Sequence, residues 1–201
     1  ARDKGVQPIM GVQFGLRRED EAATRDGLKP GPDELILLAK NEQGYLNLMD
    51  LLSLSYMEGD AGEDPQISFD ELDTRYDGLI ALSGGVGGLV GRLLGEGQFP
   101  AAEAAITRLN TLFKDNLYIE IQRHGLVSED KIENALIDMA YKHDIPLVAT
   151  NNCHFPKKEM FEAHDALLCI AAGAYVSQTD RRQLTQEHYF KSADEMRELF
   201  S

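Results

Sequence analysis

Apolar positions along the chain fall into short unbroken runs separated by amphipathic stretches, a pattern that predicts strands alternating with helices. Runs at 8–16 (PIMGVQFGL), 34–40 (ELILLAK), 79–83, 117–122 and 145–150 predict buried strands, with a last strand near Tyr189. Residues 45–57 place Leu48, Leu51, Leu52 and Tyr56 on one helical face. Ser68 and Glu71 stand at capping-box spacing and open a short helix, and others follow from about Leu89 and over 101–113. Ser128 is placed to cap a helix with Ile132, Leu136, Met139 and Ala140 inside. A helix from about Lys158 ends at Gly173, and Ser192 with Glu195 opens the last. The polar stretches 17–33 and 58–64 read as loops. Strand–helix steps with nearly continuous apolar strands predict an α/β fold with a parallel sheet, either open and doubly wound or closed into a barrel.

Composition narrows this. A chain of 201 residues is long enough for one core, so 1–201 is read as a single domain. The most apolar segment, 78–94, is interrupted by Arg92 and is not a membrane span, and the opening Ala-Arg-Asp-Lys has no apolar run behind it to make a secretory signal. The net charge of −14 repels phosphate backbones, so this surface is not expected to grip nucleic acid directly. Two cysteines, Cys153 and Cys169, cannot form a disulfide framework, and a reducing cytoplasm is the natural setting.

Candidate chemistry gathers where strands end, since α/β folds build sites at their carboxyl edge. One strand exits into Gln122-Arg123-His124-Gly125, another into Asn151-Asn152-Cys153-His154, and a third into Ser83-Gly84-Gly85, while the first carries Gln13. Two imidazoles beside carboxamides look like an eroded metal site, because amides are poor replacements for anionic carboxylates. The plainer reading of His124-Gly125 is a turn, and His143, His164 and His188 read as structural. The glycine-rich turn 83–91 lacks the lysine of a phosphate loop, so tight helix–strand packing is the expected use of its glycines.

Five segments carry a family resemblance: IMGVQF at 9–14, LLAKNEQGYLNL at 37–48, GLIALSGG at 78–85, VATNNCHF at 148–155 and EAHDALLCI at 162–170. In this order they resemble the PHP (polymerase and histidinol phosphatase) domain of bacterial replicative DNA polymerase III alpha subunits, from about Gly5 to the end. The resemblance implies a distorted barrel of seven strand–helix units, with up to three metal ions at the carboxyl ends of the strands. The family's opening H-x-H segment has no counterpart here, so the first units of the barrel are expected to be missing. Carried over residue by residue, a family glutamate falls on Gln13, a cysteine on Gly85 and an aspartate on Asn152. The family's histidines are kept at His124 and His154, and a further one falls on Glu34. His124 and His154 are thus the remnant metal ligands, and weak metal binding or none is expected.

Two readings follow from the resemblance, and a third ignores it. In the first, the chain is a non-catalytic structural domain of a DNA-directed DNA polymerase, contacting its other domains and docking the proofreading exonuclease. In the second, it is a metal-dependent phosphoesterase or 3'–5' proofreading nuclease, using zinc or manganese held by His124 and His154. In the third, it is an unrelated barrel enzyme for a small acidic metabolite. That one needs a full ligand set or an acid–base pair at the strand ends, and the sequence offers neither.

Overall fold

A computed structural model of the chain describes residues 2–18, 31–57 and 64–201. Most of the two predicted loops, at 19–30 and 58–63, therefore lies outside the described residues. The strands are β1 (Gly11–Leu16), β2 (Asp33–Ala39), β3 (Gln66–Ile67), β4 (Leu79–Leu82), β5 (Leu117–Ile121) and β6 (Leu147–Ala149). They form one sheet in the order β3-β1-β2-β4-β5-β6. The helices are α1 (Glu42–Met57), α2 (Phe69–Asp73), α3 (Leu89–Gly95), α4 (Phe99–Phe113), α5 (Val127–His143), α6 (Phe161–Ala172) and α7 (Ala193–Leu199). Among the described residues no helix is long and apolar enough to cross a membrane.

The α/β class holds, but the parallel sheet does not. β2 runs antiparallel to both of its neighbours, β1 and β4, while β1–β3, β4–β5 and β5–β6 are parallel. Apolar runs report burial on both faces of a strand and are silent about its direction. A chain returning beside the strand it has just left needs no crossover helix.

The core packs alternate residues of the central strands against helix faces. Leu35 and Leu37 of β2, Leu79 and Ala81 of β4, and Leu117 and Ile119 of β5 are buried with Leu51 of α1, Val90 of α3, Ile106 of α4 and Ile132 of α5. Each such leucine or isoleucine contributes about 1.5–3 kcal/mol by leaving water. In α1 the buried face is Gly44, Leu48, Leu51 and Ser55, so Leu52 and Tyr56, grouped with Leu48 and Leu51 on one face in the sequence, are exposed instead. Gly44 sits against the backbone of Gly78, where a Cβ would overlap the carbonyl. This approach of α1 to Gly78 is thus made by a residue without a side chain, which a reading of hydrophobicity passes over.

The helix ends expected from capping residues form with one exception. Ser68–Glu71 and Ser192–Glu195 form capping boxes, and Gly173 closes α6 in the left-handed region at φ 62°. Ser128, however, lies inside α5, whose N-cap is Leu126; Glu129 serves the cap by accepting from the Leu126 N–H at 3.2 Å. The predicted last strand is reduced to a single parallel bridge between Tyr189 and Phe155. The glycine-rich turn packs as expected: a Cβ at Gly88 would overlap the carbonyl of Ser83, and one at Gly91 that of Gly85.

Candidate functional site

Because β2 alone is reversed, its first residues stand at the same edge as the last residues of β1, β4, β5 and β6. Glu34 therefore meets the exits of the other strands. It is half-buried, and its carboxyl is held above the usual range first by burial and then by the charge of Glu120, against the pull of Arg182 and a hydrogen bond from Gln13. Glu120, on β5, is 3% exposed. One of its oxygens, Oε1, accepts from Gln122 Nε2 at 3.3 Å and from the Thr150 hydroxyl, and the backbone N–H of Glu120 donates to Ser83 Oγ at 3.0 Å. Its other oxygen, Oε2, is buried without a hydrogen-bond partner.

Beside the carboxylates lies a group of four imidazoles. His124 leaves β5 just before Gly125, whose φ of 74° turns the chain into α5. Its ring stacks on that of His188 at 4.1 Å between centroids and 15° between planes. His154 lies 5.8 Å from His188 and 5.7 Å from His164 of α6. Thr185 ties the group together, its hydroxyl donating to the His124 carbonyl at 2.7 Å and its N–H to His188 Nδ1 at 3.2 Å. Burial, followed by the charge of His124, pushes the His188 ring down to about 4. Burial, followed by the charges of Arg182, His164 and His124, lowers His154 as well.

Glu129, in the first turn of α5, fixes the state of His124. Its Oε1 lies 2.6 Å from His124 Nδ1, and its Oε2 accepts from the His124 N–H at 2.6 Å. Burial raises this carboxyl, but the ring and backbone bonds from His124 outweigh it and hold it below the usual range. A carboxylate only accepts, so Nδ1 carries the proton and Nε2 presents its lone pair. That lone pair takes the backbone N–H of Asn152 at 3.2 Å. Both nitrogens of His124 are thus engaged by protein.

The sequence-predicted residues come together at this edge. Gln13 reaches Glu34. Gly85 lies against Gln122, whose Oε1 would be 2.9 Å from an added Cβ. Asn152 contributes its backbone N–H while its residue is exposed. His154 Nε2 is buried with no partner. Among the described residues no group of three or more His, Cys, Asp and Glu side chains is arranged to hold a metal ion. Two buried atoms of this edge, His154 Nε2 and Glu120 Oε2, have no hydrogen-bond partner.

Sequence reading did not single out Glu120, Glu129 or Arg182, and it read His164 and His188 as structural; the structure sets both rings beside His154. Glu120 had a signal: an acid between two isoleucines of a buried strand needs partners. Glu129 had none beyond its place five residues after His124.

A model of the PHP domain matches residues 1–124. DNA polymerase III subunit alpha of Caulobacter vibrioides is 43% identical over 100% of the chain, which covers 17% of that protein. The subunit of the same name from Rickettsia bellii is 40% identical over 98% of the chain, covering 16% of that protein. The one from Borreliella burgdorferi is 36% identical over 100% of the chain, covering 18% of it. The chain therefore spans less than a fifth of the length of these curated relatives.

Proposed function

Since the chain belongs to the PHP domain family, we propose that it serves a replicative DNA polymerase as a structural domain whose metal site is degenerate. The observation that carries this reading is the engagement of His124 Nε2 by the Asn152 N–H, at the position where the family resemblance puts a ligand. Gln13, Gly85 and Asn152 add to it, since none supplies an anion where the family has a glutamate, a cysteine and an aspartate. Polymerisation would belong to other parts of such a subunit, working in the cytoplasm, and this domain would contact those parts and dock the proofreading exonuclease. The strong negative charge supports protein partners over direct DNA contact.

The barrel architecture is part of the same reading. β6 is the last strand of the sheet, and Leu147 and Ala149 on it are exposed. Helix α6, though rich in apolar residues, buries only Cys169. A bare sheet edge and a largely uncovered apolar helix are what a further strand–helix unit would cover.

Elemental analysis of the full-length protein, purified without chelator, tests the proposal. Far less than one zinc or manganese per chain is expected, with no metal-stimulated phosphoesterase activity. The two unpartnered atoms, His154 Nε2 and Glu120 Oε2, favour the alternative of a metal-dependent phosphoesterase or proofreading nuclease. A stoichiometric ion lost on mutation of His154 would establish that alternative and sink the degenerate-site reading.

A further inference from the structure

Residues 174–191 join α6 to α7 without a helix or strand element of their own. Only His188 and Lys191 among them are buried, while Tyr175, Val176 and Phe190 are exposed. The segment therefore gains little by leaving water and is held in place by polar contacts. Such a unit opens at a lower free energy than the core beneath it.

Those contacts centre on Arg181, whose side chain is 7% exposed. Its guanidinium donates to both oxygens of Asp165 on α6, at 2.6 and 2.7 Å. It also donates to the carbonyls of Val176, Gln178 and Arg182, at 3.2, 3.0 and 3.3 Å. All five N–H groups of the side chain are thus engaged, some across to the helix and the rest within the segment. One residue both shapes the segment and fastens it.

Further ties meet the strand exits. The Thr185 hydroxyl donates to the His124 carbonyl, the His188 carbonyl accepts from the His154 N–H at 2.8 Å, and the Phe190 N–H donates to the Phe155 carbonyl at 2.9 Å. The segment carries His188, whose ring covers one face of His124. Its ends are Gly173, left-handed at the close of α6, and Ser192, the N-cap of α7. Backbone rotation at these boundaries leaves both helical ladders intact.

We propose that residues 174–191 are a strap over the imidazole group, latched by Arg181 on Asp165, which opens as one unit and gates the access of solutes to His188 and His154. The strap is a property of this fold and stands apart from the structural role proposed above.

Hydrogen exchange followed by mass spectrometry on the full-length protein tests the latch. Fragments covering 174–184 and 185–191 should share one degree of protection, lower than that of α5. Asp165→Asn, which keeps the shape of the side chain and removes its charge, should speed exchange in both by about tenfold or more and leave α5 unchanged. Diethyl pyrocarbonate reads the gate: His188 and His154 should react faster in the variant by a similar factor, while His143, bonded to Glu103, keeps its rate. If Asp165→Asn loosens the whole chain, Arg181→Lys takes its place, leaving the carboxylate while losing the fork. Unlike protection in the two fragments would divide the strap and overturn its opening as a unit. Exchange in step with α5, or indifference to both variants, would remove the latch. Histidine reactivity that does not follow the exchange would remove the gate.

Discussion

Glu129 grips His124 twice: the ring Nδ1–H and the backbone N–H of one residue donate to the two oxygens of one carboxylate, each at 2.6 Å. Both residues are buried, at 4% and 2% exposure, so neither bond can be replaced by water without opening the start of α5. In Glu129→Gln one of the two acceptors becomes a donor facing a donor. A loss of about 2–3 kcal/mol of stability is expected, since a buried donor is left unsatisfied. The urea midpoint of the variant measures it, and an unchanged midpoint would show the grip to be incidental.

The imidazole group sets a direction for pH dependence. His188 titrates at about 4 in the folded chain against an ordinary 6.5, and His154 is also lowered. The folded state resists protons that the unfolded chain accepts. Stability is therefore complete above about pH 6.5 and declines as pH falls toward 4. Glu129, held below its ordinary 4.5, extends the loss on the acid side with the same sign. Denaturation midpoints taken between pH 8 and pH 4 should fall along this course, and His188→Gln should flatten its upper part. A variant that tracks the parent curve would contradict the assignment.

Glu34 acts with the opposite sign. Its carboxyl is raised by burial and by Glu120, so its charged form costs stability above its folded pKa, and that cost lifts as pH drops through it. Glu34→Gln should stabilise the protein at pH 7, with the gain vanishing in acid. If the substitution destabilises at pH 7, Glu34 is answered by a cation that outweighs Glu120.

Gly88 is fixed by space. A Cβ there would overlap the Ser83 carbonyl, which belongs to backbone and cannot swing aside. Gly88→Ala should cost about 3 kcal/mol or prevent folding. Gly97→Ala, where a Cβ meets nothing within 4 Å but φ is 77°, should cost only the backbone strain of about 1–2 kcal/mol. Equal midpoints for the two variants would deny the packing role of the turn.

Much of this architecture was legible in the sequence, and the exceptions share a physical cause. Runs such as ELILLAK located strands, and the Ser–Glu pairs located two helix starts, because burial and capping are local signals. The direction of β2 is a relation between strands, carried by no residue within it. Glu34 was read from the residues only as the start of a strand, and reversal of β2 places it among the strand exits. Glu120 showed as an acid in a buried strand, but its partners did not, since Thr150 and Ser83 lie 30 and 37 residues away. His124 and His154 were visible by type and spacing. What could not be read was that the Asn152 amide, a backbone group every residue possesses, sits against His124.

The alternation in β2 has a consequence for how this edge can evolve. Asp33, Leu35 and Leu37 are buried, with Glu34, Ile36 and Leu38 half-buried between them. Shifting the strand by a single position would, in one direction, push Glu34 into the apolar place of Leu35 and, in the other, bring Leu35 up against Glu120. Insertions and deletions in this segment are therefore closed to selection. Its chemistry is free to change only by exchanging one side chain for another in place.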